Sequence, residues 1–164
     1  MKMHPRGCIS FAMSHNMKDY DSLKSIVARA LDILYEKDGS IIKRQLHEQC
    51  VVFRFGLYFR ELLLDTEFSC YDLDAEYNKD GDDLKRLECK TQGFRPDIIL
   101  HKRESNSHNI LVLEFKYEQN DSKVEEDIKK IVELTHKSGK YRYKLGASII
   151  ITPCRKDVKI EWHE

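Results

Sequence analysis

Apolar positions recur at helical spacing from Tyr20 to about Lys37, where Leu23, Ile26, Val27, Ala30, Leu31 and Leu34 form one stripe. Asp21 or Ser22 is placed to cap this helix, and Asp38-Gly39 to end it. A second, longer helical pattern starts at Ser40 and runs to about Leu64, with Glu48 in line with Val52, Phe55, Phe59 and Leu63. From Cys70 to Tyr77 the pattern changes to alternation, with Cys70, Asp72, Asp74 and Glu76 on one side and Tyr71, Leu73, Ala75 and Tyr77 on the other. Asn78 to Asp82 is a turn. Two short apolar strands follow, Asp97 to Lys102 and Ile110 to Tyr117. Ser122-x-x-Glu125 forms a capping box and opens a helix with Val124, Ile128, Ile131, Val132 and Thr135 on one face, ending near Gly139. Ala147 to Thr152 is an apolar strand stopped by Pro153, and Val158 to Trp162 predicts one more. This order predicts an α/β fold: a mixed, largely antiparallel central sheet flanked by helices, in a single domain of residues 20–164 behind a loose arm of residues 1–19.

Composition narrows the class. With 41% hydrophobic and 34% charged residues, the chain reads as soluble and globular rather than disordered. The 28 basic and 28 acidic residues cancel, so any nucleic-acid binding has to come from a local basic face and not from a basic excess. The five cysteines are odd in number and far apart, which fits neither a disulfide framework nor a zinc spacing; free thiols in a reducing compartment are expected. The apolar patch from Cys8 to Met13 is too short for a signal segment, and no run is long enough to span a membrane. The expectation is a cytoplasmic protein with no membrane association.

The candidate chemistry lies in the paired strands. Asp97 opens one, and Glu114 and Lys116 end the other. Charged groups are costly in a sheet unless something pairs them. Glu114 and Lys116 share a face because strand side chains alternate. A four-residue hairpin loop, with Arg103 opposite His108, places Asp97 opposite Glu114; a five-residue loop separates the two acids unless a bulge restores them. Two neighbouring carboxylates repel, and a bound Mg²⁺ reverses that penalty. Glu48 is an acid on an otherwise apolar stripe. Its partner is Arg44 one turn earlier, a metal site, or Lys116.

Pro96-Asp97 followed by Glu114-Phe115-Lys116, with a Glu-bearing helix upstream, resembles the PD-(D/E)xK nuclease superfamily over roughly residues 41–152. The resemblance implies Mg²⁺, with Mn²⁺ as a substitute, bound by Asp97, Glu114, the Phe115 carbonyl and Glu48. It implies Lys116 as the residue that orients or activates the hydrolytic water, so that Asp97, Glu114, Lys116 and Glu48 form the catalytic set. The reaction is phosphodiester hydrolysis of nucleic acid, with DNA favoured, and a homodimer or a protein partner is a further expectation. A catalytically silent binding module of the same fold is the alternative. The chain also resembles small bacterial members in which Asp127, Lys130, Tyr141 and Tyr143 have counterparts near the site. For contacts to nucleic acid, the candidates are Arg103, Lys130, Lys140, Tyr141, Arg142 and Tyr143, since Lys and Arg neutralise phosphates and tyrosines stack on bases. Lys137 and Lys144 extend that basic stretch, a second one comprises Lys85, Arg86, Lys90 and Arg95, and His101 shares the Asp97 face.

Overall fold

A computed structural model describes residues 17–87, 93–103, 105–118 and 121–164. They form three α-helices and a five-stranded sheet, whose strands begin in spatial order at Asp72, Ile98, Leu111, Leu145 and Lys159, with a small separate hairpin. Helix α1 spans Met17–Lys43 and α2 spans Glu48–Leu63. The predicted stripe of α1 is buried throughout. Its start differs from expectation: the helix begins at Met17, so the last residues of the expected arm are helical. Asp21 lies inside it, where its carbonyl accepts a bond from the Ser25 hydroxyl.

The break between the helices also moves. At Asp38 (φ −124°, ψ 17°) the chain kinks without ending the helix, and the Asp38 carboxylate is held by Arg54 and Tyr58. The stop comes at residues 44–47. Gln45 takes a left-handed conformation (φ 53°), its N–H bonds to Ile42, and the Leu46 N–H reaches back to Ile41. This is the Schellman pattern, here with glutamine where glycine is usual. Helix α2 then starts afresh, with the His47 ring accepting from the Gln49 N–H. Its Val52, Phe55, Phe59 and Leu63 stripe is buried as the spacing predicts.

The sheet strands are β1 (Asp72–Ala75), β4 (Ile98–His101), β5 (Leu111–Tyr117), β6 (Leu145–Ile151) and β7 (Lys159–His163); β2 (Lys79–Asp80) and β3 (Asp83–Leu84) form the hairpin, turning at Gly81 (φ 62°). All sheet pairings are antiparallel except β5–β6, which the crossover helix α3 (Asp121–Thr135) makes parallel. Alternate residues of β4 and β5 feed opposite layers. Ile98, Leu100, Leu111, Leu113 and Phe115 join the α1–α2 core. Ile99 and Val112 join Leu134, Tyr141 and Tyr143 on the α3 side.

The inward face of α3 departs from the one expected. Asp127, Ile131, Leu134 and Thr135 are buried, whereas Val132 is 47% exposed. The helix is rotated so that an acid faces the sheet. It ends at Thr135, short of Gly139. The side chains of Ser122 and Val124 lie outside the described residues, as do Cys8, Cys89 and Lys90. Cys50, Cys70 and Cys154 are exposed free thiols. Among the described residues, no helix is long and apolar enough to cross a membrane.

Gly146 fixes the contact of α3 with β6. A Cβ there would lie 2.5 Å from Ile131 Cγ2 and 2.8 Å from Thr135 Cγ2, well inside van der Waals contact. Overpacking of this kind costs about 1–3 kcal/mol. Gly146→Ala is expected to lower the urea-unfolding free energy by that amount. An unchanged midpoint would mean that α3 does not sit this close.

Candidate active site

The site is built where β5 outruns β4. The β4–β5 register pairs Ile98 with Leu113, and one further step sets Asp97 opposite Glu114. This is the register that the four-residue loop demands, but the connection differs: Lys102 bridges to Ser105 and a 3₁₀ turn over Asn106–His108 follows, so Arg103 does not face His108. Beyond Ile98 the ladder stops, and the Phe115 N–H is taken by the Asp97 carboxylate at 2.7 Å. The N–H and C=O of one strand residue point to the same neighbour, so the Phe115 carbonyl faces the Asp97 side as well.

Glu114 is 5% exposed, and its Oε1 has no hydrogen-bond partner among the described residues. Burial pushes its pKa well above the usual carboxylate range, and the neighbouring Asp97 and Asp127 push it further. Asp97 is raised to about 6, chiefly by burial and also by Glu48, against the Phe115 N–H that favours its charge. Lys116 Nζ lies 3.1 Å from Glu48 Oε1 and 3.5 Å from Asp127 Oδ2. Burial pulls its pKa down, but Asp127 and Glu48 outweigh burial and hold it above the usual lysine value. Lys130 caps the other oxygen of Asp127.

Glu48 reaches this cluster as the first residue of α2. The turn at residues 44–47 removes Arg44 from the helical position assumed for a local pair, and Lys116 is the partner instead. Among the described residues, no three His, Cys, Asp or Glu side chains gather closely enough to hold a metal by themselves. The donors that fit a hard cation are Asp97, Glu114 and the Phe115 carbonyl: all are oxygens, and one is a buried carboxylate oxygen with no other hydrogen-bond partner. The fold and this cluster define an α/β protein with a buried acid pair and a lysine at the open end of its sheet. Compared with known proteins, the chain matches no family model, no curated protein and no solved structure.

Most of the residues proposed for nucleic-acid contact are engaged elsewhere. The Arg103 guanidinium is forked onto Asp74, Lys140 pairs with Asp80, and Lys130 pairs with Asp127. His101 bonds to Asp74 at the far end of β4, away from the acids. Tyr141 and Tyr143 are 2% and 1% exposed, so neither is available to stack on a base. Their hydroxyls instead anchor the segment after β3: Tyr141 to the Arg86 backbone and Tyr143 to Lys85. Arg142 alone of this set is exposed without an ion-pair partner among the described residues.

Lys85 is the residue that sequence reasoning misplaced furthest. It is 1% exposed, with Nζ 5.1, 5.8 and 5.5 Å from the ring centroids of Tyr77, Tyr141 and Tyr143. Burial pulls its pKa down to about 8, against Asp80 and Asp74. An unfolded lysine keeps its proton to about pH 10.4, so between these values the unfolded state binds more protons and stability rises with pH. Relative to Lys85→Met, the wild-type unfolding free energy is expected to climb by up to about 3 kcal/mol across that window. A pH-independent difference in urea titrations would contradict the caged ammonium.

Proposed function

We propose that this chain is a metal-dependent nuclease of the PD-(D/E)xK type, hydrolysing phosphodiester bonds of nucleic acid, with DNA as the first substrate to test. The supporting observation is the Asp97–Glu114 pair across β4 and β5, with Lys116 on the same face and held by Glu48 and Asp127. Asp97, Glu114 and the Phe115 carbonyl would hold Mg²⁺ or Mn²⁺. When bound, the cation supplies Lewis acidity and a more acidic water.

The protein's own residues account for the rest. Lys116 is tied on two sides, which restricts a long flexible side chain to one position next to the acids. From there its ammonium orients the hydrolytic water and meets the charge of the phosphate. Glu48 is a positioning residue that acts through Lys116. Asp127 does the same from α3, and its pairing with Lys130 limits the excess negative charge near Glu114.

A silent binding module of the same fold is the second reading. It is favoured by the two ion pairs that already neutralise Lys116 and by the lack of a three-acid cluster among the described residues. Metal binding separates the two. For the nuclease, Mg²⁺ is expected to raise the melting temperature, more above pH ~6 than below it, because ligand carboxylates have to lose their protons. Glu114→Gln is expected to remove the effect. A melting curve indifferent to Mg²⁺ and Mn²⁺ would favour the silent module.

Cleavage is the direct test. Asp97→Asn and Glu114→Gln are expected to abolish it, and Lys116→Met to reduce it by about 10²–10⁴-fold, with folding intact. Glu114→Gln is also expected to melt higher than the metal-free wild type, because it removes a buried acid repelled by two others. Wild-type protein that cuts no single- or double-stranded DNA or RNA with either metal would overturn the proposal.

A further inference from the structure

We infer that the groove beyond the C-terminal end of α3 binds the phosphate backbone of a nucleic acid through Lys137, Arg142 and Lys144. The inference rests on the nucleic-acid reading above and deepens it by naming where the strand lies. The groove encloses about 650 Å³, and these three cations line it together with Asn106 and Ser107. All three are exposed, and none has an ion-pair partner among the described residues. Three other basic residues considered for nucleic-acid contact, Arg103, Lys130 and Lys140, are each matched by an aspartate. The one acid lining the groove, Glu164, is paired with Lys24 at 2.6 Å.

The backbone of Arg142 supplies a second, independent argument. Its φ is 51°, a left-handed conformation that costs free energy in any residue with a Cβ. Such a conformation persists when its surroundings dictate it. Tyr141 and Tyr143 on either side are buried and anchored through their hydroxyls, and the Tyr143 N–H bonds to the Leu134 carbonyl at 2.9 Å. The chain is pinned on both sides, and Arg142 is presented outward between the pins.

The groove lies past the C-terminal end of α3, and Asp127 of the candidate active site lies near the middle of that helix. From Asp127 to Thr135 the helix advances roughly 12 Å at the helical rise. That is the length of about three to four base pairs, so a nucleic acid seated in the groove would need only a short further stretch to reach the site. Three phosphates neutralised in the groove correspond to a change of about 2–3 in the slope of log affinity against log salt for a duplex, and about 2 for a single strand.

The test uses the full chain carrying Glu114→Gln, so that substrate survives. The probes are a labelled DNA duplex, a single-stranded DNA and a single-stranded RNA of one sequence, titrated by fluorescence anisotropy over a salt series. Adding Lys137→Ala, Arg142→Ala and Lys144→Ala together is expected to make the slope shallower by about 2–3 on the preferred probe and to weaken binding at least tenfold. Lys156→Ala with Lys159→Ala, on another surface, is expected to change neither. Arg142→Gly is expected to melt no lower than its parent, since glycine accepts this φ, while still weakening binding. An unchanged slope in the triple variant overturns the groove. If wild-type protein meanwhile shows cleavage that depends on Asp97 and Glu114, the nuclease reading stands without it. Conversely, the expected slope change without any cleavage supports the groove and removes the nuclease. Failure of all three probes to bind overturns the groove, and wild-type cleavage then decides the nuclease reading by itself.

Discussion

A buried carboxylate with an unpartnered oxygen is costly, and one end of this sheet is organised around one, Glu114. The difference in length between β4 and β5 creates the place for it. Because β4 begins only at Ile98, the Asp97 side chain closes the ladder that the backbone leaves open, and in doing so stands beside Glu114. In that position Asp97 raises the proton affinity of Glu114, while burial and Glu48 raise that of Asp97. The lysines nearby face Glu48 and Asp127, so the acid pair retains an electrostatic demand that a cation would meet. This is the feature that separates the cluster from an ordinary ion-pair network, in which each charge is matched.

Several charged groups elsewhere in the molecule are held in ion pairs. Asp74 holds both His101 and Arg103, Asp80 holds Lys140, and Asp38 holds Arg54. Such pairs fix loops and strand ends to each other and add little net attraction for a distant polyanion. A neutral overall charge therefore does not describe the local fields. Two local features stand out: the acids Asp97 and Glu114, and the three exposed cations at the groove past α3. The C-terminal half of α3 runs between them.

The parts of this arrangement visible in the sequence are those set by local periodicity. The α1 and α2 stripes follow from spacing alone, whereas the β4–β5 register that brings Asp97 to Glu114 is one of two that spacing leaves open, and the connection between the strands decides it. The parts that were not visible depend on tertiary partners. Gln45 ends α1 without the glycine that signals such a stop. On α3, Val132 and Leu134 are equally apolar, and only the neighbouring layer decides that Leu134 is covered and Asp127 turned inward. Tyr141 and Tyr143 look like a stacking platform beside their basic neighbours until Lys85 Nζ and the Arg86 N–H, 58 and 55 residues away, are seen to donate to their hydroxyls. Arg103 sits at the tip of the right strand, but nothing local reveals that Asp74 takes its guanidinium.

The absence of a side chain at Gly146 has a reach beyond the contact it permits. Ile131 and Thr135 rest directly over it, and Asp127 lies one turn further along the same rigid rod, about 6 Å from Ile131. The point where a helix touches a sheet acts as a fulcrum for the rest of it. Raising α3 by a methyl group at that point would tilt the far arm and change how deeply Asp127 sits over Glu114 and Lys116. The proton affinity of Glu114, which Asp127 raises, is thus linked to a residue that carries no functional group and touches none of the charges.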